Sequence, residues 1–254
     1  MRLVELIAPV LGARCVVVVG DGGDAVVVVA GAGVAARVLA LVEHEHLNVH
    51  GVLATHGHLD HTWDAGPLAA RLGVPVLLHQ ADRYRLADPW GTLGVLGTPS
   101  GRPDGPLAAV LRQVGLDPAD YVEPSRVTTF GAVPGADGRS LDEDLGAVLG
   151  APDLHLVARH APGHTEGSTL YLLDVDGPAP VVLAGDVLFA GSIGRTDLPG
   201  GDGQVMARTL RDVVRALPAA ARVLPGHDGG RGVGHQPVPG LTPATPRGAS
   251  RGGH

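Results

Sequence analysis

Seven His and Asp side chains in this 254-residue sequence stand where they could together hold metal ions, and four of them fall within six positions. The stretch Thr55-His56-Gly57-His58-Leu59-Asp60-His61 closes an apolar run, 49–55, that reads as a strand. Alternate residues of an extended chain share one face, so His56 and His58 can point the same way. Asp60 and His61 come after the turn and can serve a neighbouring position. Imidazole and carboxylate are the natural ligands of zinc, iron and manganese. The competing reading is a solvated, His-rich loop, but loop histidines rarely gather in this way behind a strand.

Three further candidates also stand at expected strand ends. His164 lies in Ala161-Pro162-Gly163-His164, Asp186 in Leu183-Ala184-Gly185-Asp186, and His227 in Leu224-Pro225-Gly226-His227. Taken singly, each would pass for a cap or turn residue. Taken together, each beside a glycine that lets the backbone turn tightly, they form a specific constellation.

The elements that must position these residues follow from hydrophobic periodicity. Val16–Val19 and Val26–Val29 flank Gly20-Asp21-Gly22-Gly23-Asp24, which is a hairpin signal. The spacing then predicts a helix over 34–46, the strand 49–55, a helix over 62–72 and a strand over 74–79. Residues 81–125 are less regular, with a short helix expected from 106 to 116, and read as an insertion over the rim of the site. Strands are expected at 126–130, 154–160, 168–174, 180–185 and 222–224, with a helix over 204–217. The domain should span 1–235, and the Pro/Gly/Arg-rich segment 236–254 is expected to be a disordered tail. Hairpins followed by interleaved helices and strands imply an α/β (α+β) protein. Its form would be a four-layer αβ/βα sandwich, two mixed sheets face to face with helices outside.

Composition narrows the function. Apolar residues make up 44% of the chain, enough for a sizeable core, and the formal net charge is −7. All nineteen basic residues are Arg, and no basic run occurs, so nucleic acid is not an expected partner. The single cysteine, Cys15, rules out an internal disulfide and sits among valines, as a buried strand thiol would. No apolar run approaches the ~20 residues of a spanning helix. The segment 1–13 contains Glu5 and Pro9 and lacks the layout of a secretion signal. The expectation is a cytoplasmic protein with no membrane partner.

The ordered set His56-Gly57-His58-Leu59-Asp60-His61, His164, Asp186 and His227 resembles the motifs of the metallo-β-lactamase superfamily over residues 10–228. Within it, the stretch from Gly185 to Gly201 resembles short bacterial glyoxalase II proteins, the hydroxyacylglutathione hydrolases. The resemblance implies two divalent metal ions, zinc before iron or manganese. His56, His58 and His164 would hold the first, Asp60, His61 and His227 the second, and Asp186 both. It implies hydrolysis of a small-molecule hydroxyacyl thioester by water activated between the metals, with Asp60 and Asp186 as the catalytic carboxylates. The cysteine-containing class of true β-lactamases carries Cys where Asp186 stands, so this sequence looks unlike that class.

The sequence departs from the family at two places. Where glyoxalase-like relatives end the second strand with Asp-Pro-Gly, this chain has Val29-Ala30-Gly31, which removes a carboxylate expected behind the metal ligands. The long glutathione-binding helical domain has no counterpart, which leaves the thiol carrier open. Among weaker candidates, Arg195 would either bind a substrate carboxylate or brace its loop by pairing with Asp197. His79, His155 and His160 read as packed strand residues, and Glu43-His44-Glu45-His46 as a solvated helix end. Tyr84, Trp90 and Tyr121 would line a pocket or simply pack. The rival functions are a persulfide dioxygenase with a mononuclear iron at His56, His164 and Asp186, a lactone or β-lactam hydrolase, and a non-catalytic metal-binding protein.

Overall fold

A computed structural model describes residues 1–98, 102–131, 142–174, 179–227 and 235–237. The amino-terminal half forms a six-stranded sheet ordered as in the chain: β1 (Arg2–Ile7), β2 (Arg14–Val19), β3 (Asp24–Val28), β4 (Asn48–Leu53), β5 (Val76–His79) and β6 (Val127–Phe130). The first three strands are antiparallel, with Val16 opposite Val28 in the predicted hairpin, and β3 to β6 run parallel. The valine runs of β2 and β3 are buried almost throughout, as strands covered on both faces should be. Strand β1 was not foreseen, because it lies at the sheet edge and its residues are only partly buried.

The second half contributes β7 (Glu143–Asp144), β8 (Leu156–His160), β9 (Thr169–Leu173), β10 (Val181–Gly185), β11 (Leu188–Phe189), β12 (Ser192–Gly194), β13 (Arg222–Pro225) and β14 (His235–Pro237). They form a five-stranded sheet, β13-β10-β9-β8-β7, and a small one, β11-β12-β14. One core of buried residues joins the two large sheets: Val17, Val27, Leu53 and Leu77 from the first, Leu156, Tyr171, Leu173 and Leu183 from the second. Helix α1 (Ala35–Glu45) and helix α3 (Ala65–Leu72) add Val38 and Leu68 to that core. A separate cluster packs Met206 of helix α7 (Gly203–Asp212) against Leu170, Val182 and Ala184 of the second sheet. The result is the expected helix–sheet–sheet–helix layering.

Two expected helices are interrupted for identifiable reasons. The helix predicted over 62–72 is two helices, a short α2 (Leu59–Thr62) and α3. Between them, Asp64 turns its carboxylate to the first backbone N–H of α1, accepting from Ala35 at 2.8 Å, while its own N–H bonds the Ala30 carbonyl. The predicted helix 204–217 ends at Asp212 and continues as a tighter turn over Val214–Ala216. The 81–125 region contains α4 (Arg83–Ala87) and α5 (Pro106–Gln113), and a third short helix, α6 (Leu145–Val148), precedes β8. His235–Pro237 pairs with Ser192–Gly194, and residues 238–254 of the expected tail lie outside the described residues. No helix among the described residues is long and apolar enough to cross a membrane.

Candidate metal centre

Strand direction explains why the seven residues meet. Strands β10 and β13 are parallel, and β8 runs the same way because both neighbouring pairs, β8–β9 and β9–β10, are antiparallel. His164, Asp186 and His227 therefore leave the second sheet at one edge. His56 and His58 leave β4 of the facing sheet, and α2 carries Asp60 and His61 back over the junction. Positions outside the carboxyl ends of strands are where open sheets place ligands.

The structure brings all seven residues into one buried cluster. His56, His58 and His164 form one group, Asp60, His61 and His227 another, and His56, His61 and Asp186 a third, with the potential ligand atoms of each group within 4.8 Å of one another. His58 Nδ1 faces His164 Nε2 at 3.0 Å, and His61 Nε2 faces His227 Nε2 at 3.0 Å. Asp186 lies between the sets, Oδ1 3.3 Å from His61 Nε2 and Oδ2 3.9 Å from His164 Nε2 and 3.6 Å from His227 Nε2. Asp60 Oδ2 is 3.3 Å from His227 Nε2. Gly226 is required here, because a Cβ would stand 2.3 Å from Asp186 Oδ1 and 2.8 Å from the His61 ring. Gly185, at φ +49°, takes the backbone past Thr55 in a region that favours glycine.

The residues fit metal ions. Four buried polar atoms, His56 Nε2, His58 Nε2, His61 Nδ1 and Asp186 Oδ1, have no hydrogen-bond partner in the protein, whereas buried polar groups are ordinarily paired. Burial, followed by the neighbouring histidines, holds His56 and His58 well below the usual imidazole range, so each carries a free lone pair. His164 is also lowered by burial. At the second group, burial alone would raise Asp60, but His61 and His227 hold its carboxyl far below the carboxylate range. Backbone carbonyls fix the ring orientations: His164 Nδ1 lies 2.8 Å from the Arg195 oxygen and His227 Nδ1 3.1 Å from the Leu11 oxygen. An N–H donating there leaves Nε2 as the metal-facing atom.

Sequence reasoning missed the residue that ties these loops together. Asp82, fully buried in the turn after β5, accepts from Gly57 N at 2.7 Å, Gly167 N at 2.8 Å, Thr165 Oγ1 at 2.7 Å and Arg85 Nε at 3.2 Å. One carboxylate thus grips the backbone between His56 and His58 and the loop that follows His164. The fully buried Arg85 extends the grip to Glu166 and to the Pro199 carbonyl. Its only sequence signal is a lone Asp beyond a strand end. Asp82→Asn keeps the shape but sets an amide against two N–H donors, and hydrogen bonds to charged groups contribute about 1.5–3 kcal/mol each. The expected result is a Tm lower by roughly 10 °C, measured by calorimetry. A Tm within about 2 °C of wild type would show that the network is dispensable.

The other candidates fall elsewhere. His79 stacks on His160 with ring centroids 3.9 Å apart and belongs to none of the metal groups. His155 lines a separate surface cavity. Glu45, at the end of α1, pairs with Arg2. Trp90 and Tyr121 pack edge-on around Trp63. Cys15 is fully buried, and burial pushes its thiol up to about 12, which leaves it inert. Arg195 binds both oxygens of Asp197 at 2.7 Å.

Val29 occupies the place of the family's acid, buried and at φ +66°, a conformation costly for a β-branched residue and better tolerated by Asp. A narrow gap beside it is also lined by Thr55, Gly185 and Gly226, directly behind the ligands. Val29→Asp is expected to slow metal loss to a chelator by about tenfold, the scale of carboxylates that orient ligand histidines. Equal or faster loss would mean that a carboxylate at this position does not orient the ligands.

The profile of the metallo-beta-lactamase superfamily matches residues 8–227. The chain belongs to that superfamily, whose fold is built to carry a di-metal site at this sheet junction. It is 34% identical to an uncharacterised protein of Mycobacterium tuberculosis over 230 residues, 89% of this chain and 91% of the relative. It is 28% identical to the hydroxyacylglutathione hydrolase of Haemophilus influenzae, covering 84% of each chain. The crystal structure of TTHA1623 in a di-iron-bound form superposes with a TM-score of 0.59 at 27% identity, over 89% of this chain and 92% of that one.

Proposed function

We propose that this protein is a dinuclear metallo-hydrolase that cleaves a hydroxyacyl thioester of a low-molecular-weight thiol, with Asp60 and Asp186 as catalytic carboxylates. The observation that carries the proposal is the assembled second group, Asp60, His61 and His227, beside the first. A mononuclear oxygenase does not need it, although related oxygenases can retain it unused. The likeness to a hydroxyacylglutathione hydrolase supports the same reading. His56, His58 and His164 would hold one ion, Asp60, His61 and His227 the other, and Asp186 would face both. Bound divalent ions would lower the pKa of water from 15.7 to about 7 and polarise the substrate carbonyl.

The chain's own residues do the rest. Asp60 reaches the pocket, where its carboxylate accepts a hydrogen bond from the attacking water and orients it. The water releases one proton to solvent as it ionises, its oxygen adds to the acyl carbon, the C–S bond breaks, and the second proton passes to the departing thiolate, leaving the carboxylate. Because thiol pKa values lie near 8.5, the leaving group needs little acid assistance. The test compares substrates at equal concentration. S-lactoylglutathione should be hydrolysed at least about 100-fold faster than a β-lactam or a lactone. The reverse order would replace the thioesterase by a ring-opening hydrolase.

A further inference from the structure

The pocket over the metal centre has an apolar wall that neither the ligand set nor the proposed chemistry requires. Five leucines, Leu11, Leu93, Leu96, Leu107 and Leu198, line it together with the ligand residues. They come from four separate parts of the chain: the β1–β2 loop, the turn 91–96, the start of α5 and the loop after β12. Leu11 is held at φ +62°, an unusual conformation for a branched side chain, and its carbonyl faces His227 Nδ1. Backbone strain of this kind persists where surrounding structure enforces it, and it clusters at functional sites.

The pocket's polarity points the same way. Arg195 is the one cation among the described lining residues, and Asp197 takes the Nε and Nη2 edge of its guanidinium. Five of the ten lining residues are leucines, so recognition beyond the reacting carbonyl rests mainly on apolar contact.

We propose that the preferred substrate carries an unbranched apolar arm of several carbons beside the scissile carbonyl, seated against Leu93, Leu96, Leu107 and Leu198. The proposal rests on the thioesterase reading for its chemistry but on the leucine wall for its specificity. The arm can belong to the acyl half or to the thiol half of the thioester, and the two sources are separable.

The test uses metal-loaded protein and thioesters of N-acetylcysteamine, a small uncharged thiol. Burial of each methylene is worth three- to fourfold, so kcat/KM should rise at least tenfold from the lactoyl to the 2-hydroxyhexanoyl ester. If the arm belongs to the thiol half, the rise appears instead between lactoyl esters of N-acetylcysteamine and of hexanethiol. Leu93→Asn should flatten whichever series rises. Leu96→Asn, at a half-exposed position, should do the same if Leu93→Asn fails to fold. A flat series in both halves overturns the proposal while leaving the hydrolase intact.

A second readout does not depend on catalysis. Leu93 and Leu107 share a packed cluster with Trp63 and Trp90, so tryptophan fluorescence should report pocket filling. Non-hydrolysable S-alkyl thioethers of N-acetylcysteamine should bind tighter as the chain lengthens from methyl to hexyl, and less so in Leu96→Asn. If no thioester is hydrolysed but this trend holds, the apolar site stands and the thioesterase reading falls. If affinity is independent of chain length, the apolar site is wrong.

Discussion

Asp186→Ala is expected to lose at least about 1,000-fold in thioester hydrolysis, roughly 4 kcal/mol of transition-state stabilisation, and to bind no more than one metal per chain. Its carboxylate faces both halves of the cluster, 3.3 Å from His61 and 3.9 Å from His164. It is buried, and one of its oxygens has no partner in the protein. Removing it leaves Asp60 as the only carboxylate of the cluster and leaves His56, His58 and His164 with no negative charge to offset a bound cation. Asp186→Asn should lose nearly as much, because the amide keeps the volume but not the charge. Metal content by mass spectrometry and initial rates check this, with circular dichroism to establish that the variants fold. Two metals and a wild-type rate in either variant would remove Asp186 from the centre.

Asp60→Ala is expected to bind about one metal fewer and to lose about 100-fold or more in rate, while retaining the ion held by His56, His58 and His164. The distinction follows from geometry. Asp60 belongs to the group with His61 and His227 and to neither of the other two. It also lines the pocket, so its loss removes both a ligand and the acceptor that orients water. Several kcal/mol is the scale of a metal-activated nucleophile. A variant with one metal fewer and an unchanged rate would show that the second group plays no part in the chemistry.

The ligand set was legible in the sequence for a physical reason. Metal ligands must be particular residue types, and the sharp turns that aim them need glycine, so Gly57, Gly163, Gly185 and Gly226 mark them. The valine-rich hairpin was legible because strands buried on both faces read as continuous apolar runs. The break at Asp64 was not, because it depends on the amino terminus of α1, about thirty residues away, needing an acceptor. Asp82 and Arg85 were hidden for a similar reason. Nothing local distinguishes them, and their role comes from two distant loops converging on one buried carboxylate. The leucine wall was equally silent, since a leucine in an irregular segment does not announce which neighbours from other segments it will meet.

The measurement closest to the central claim is a paired assay on protein purified without added metal, with its metal content determined on the same sample. The account predicts close to two divalent ions per chain, hydrolysis of a hydroxyacyl thioester that stops on chelation, and no oxygen consumption with glutathione persulfide. One iron per chain, with oxygen consumed on adding that persulfide and the thioester left intact, would contradict it and make the protein a dioxygenase.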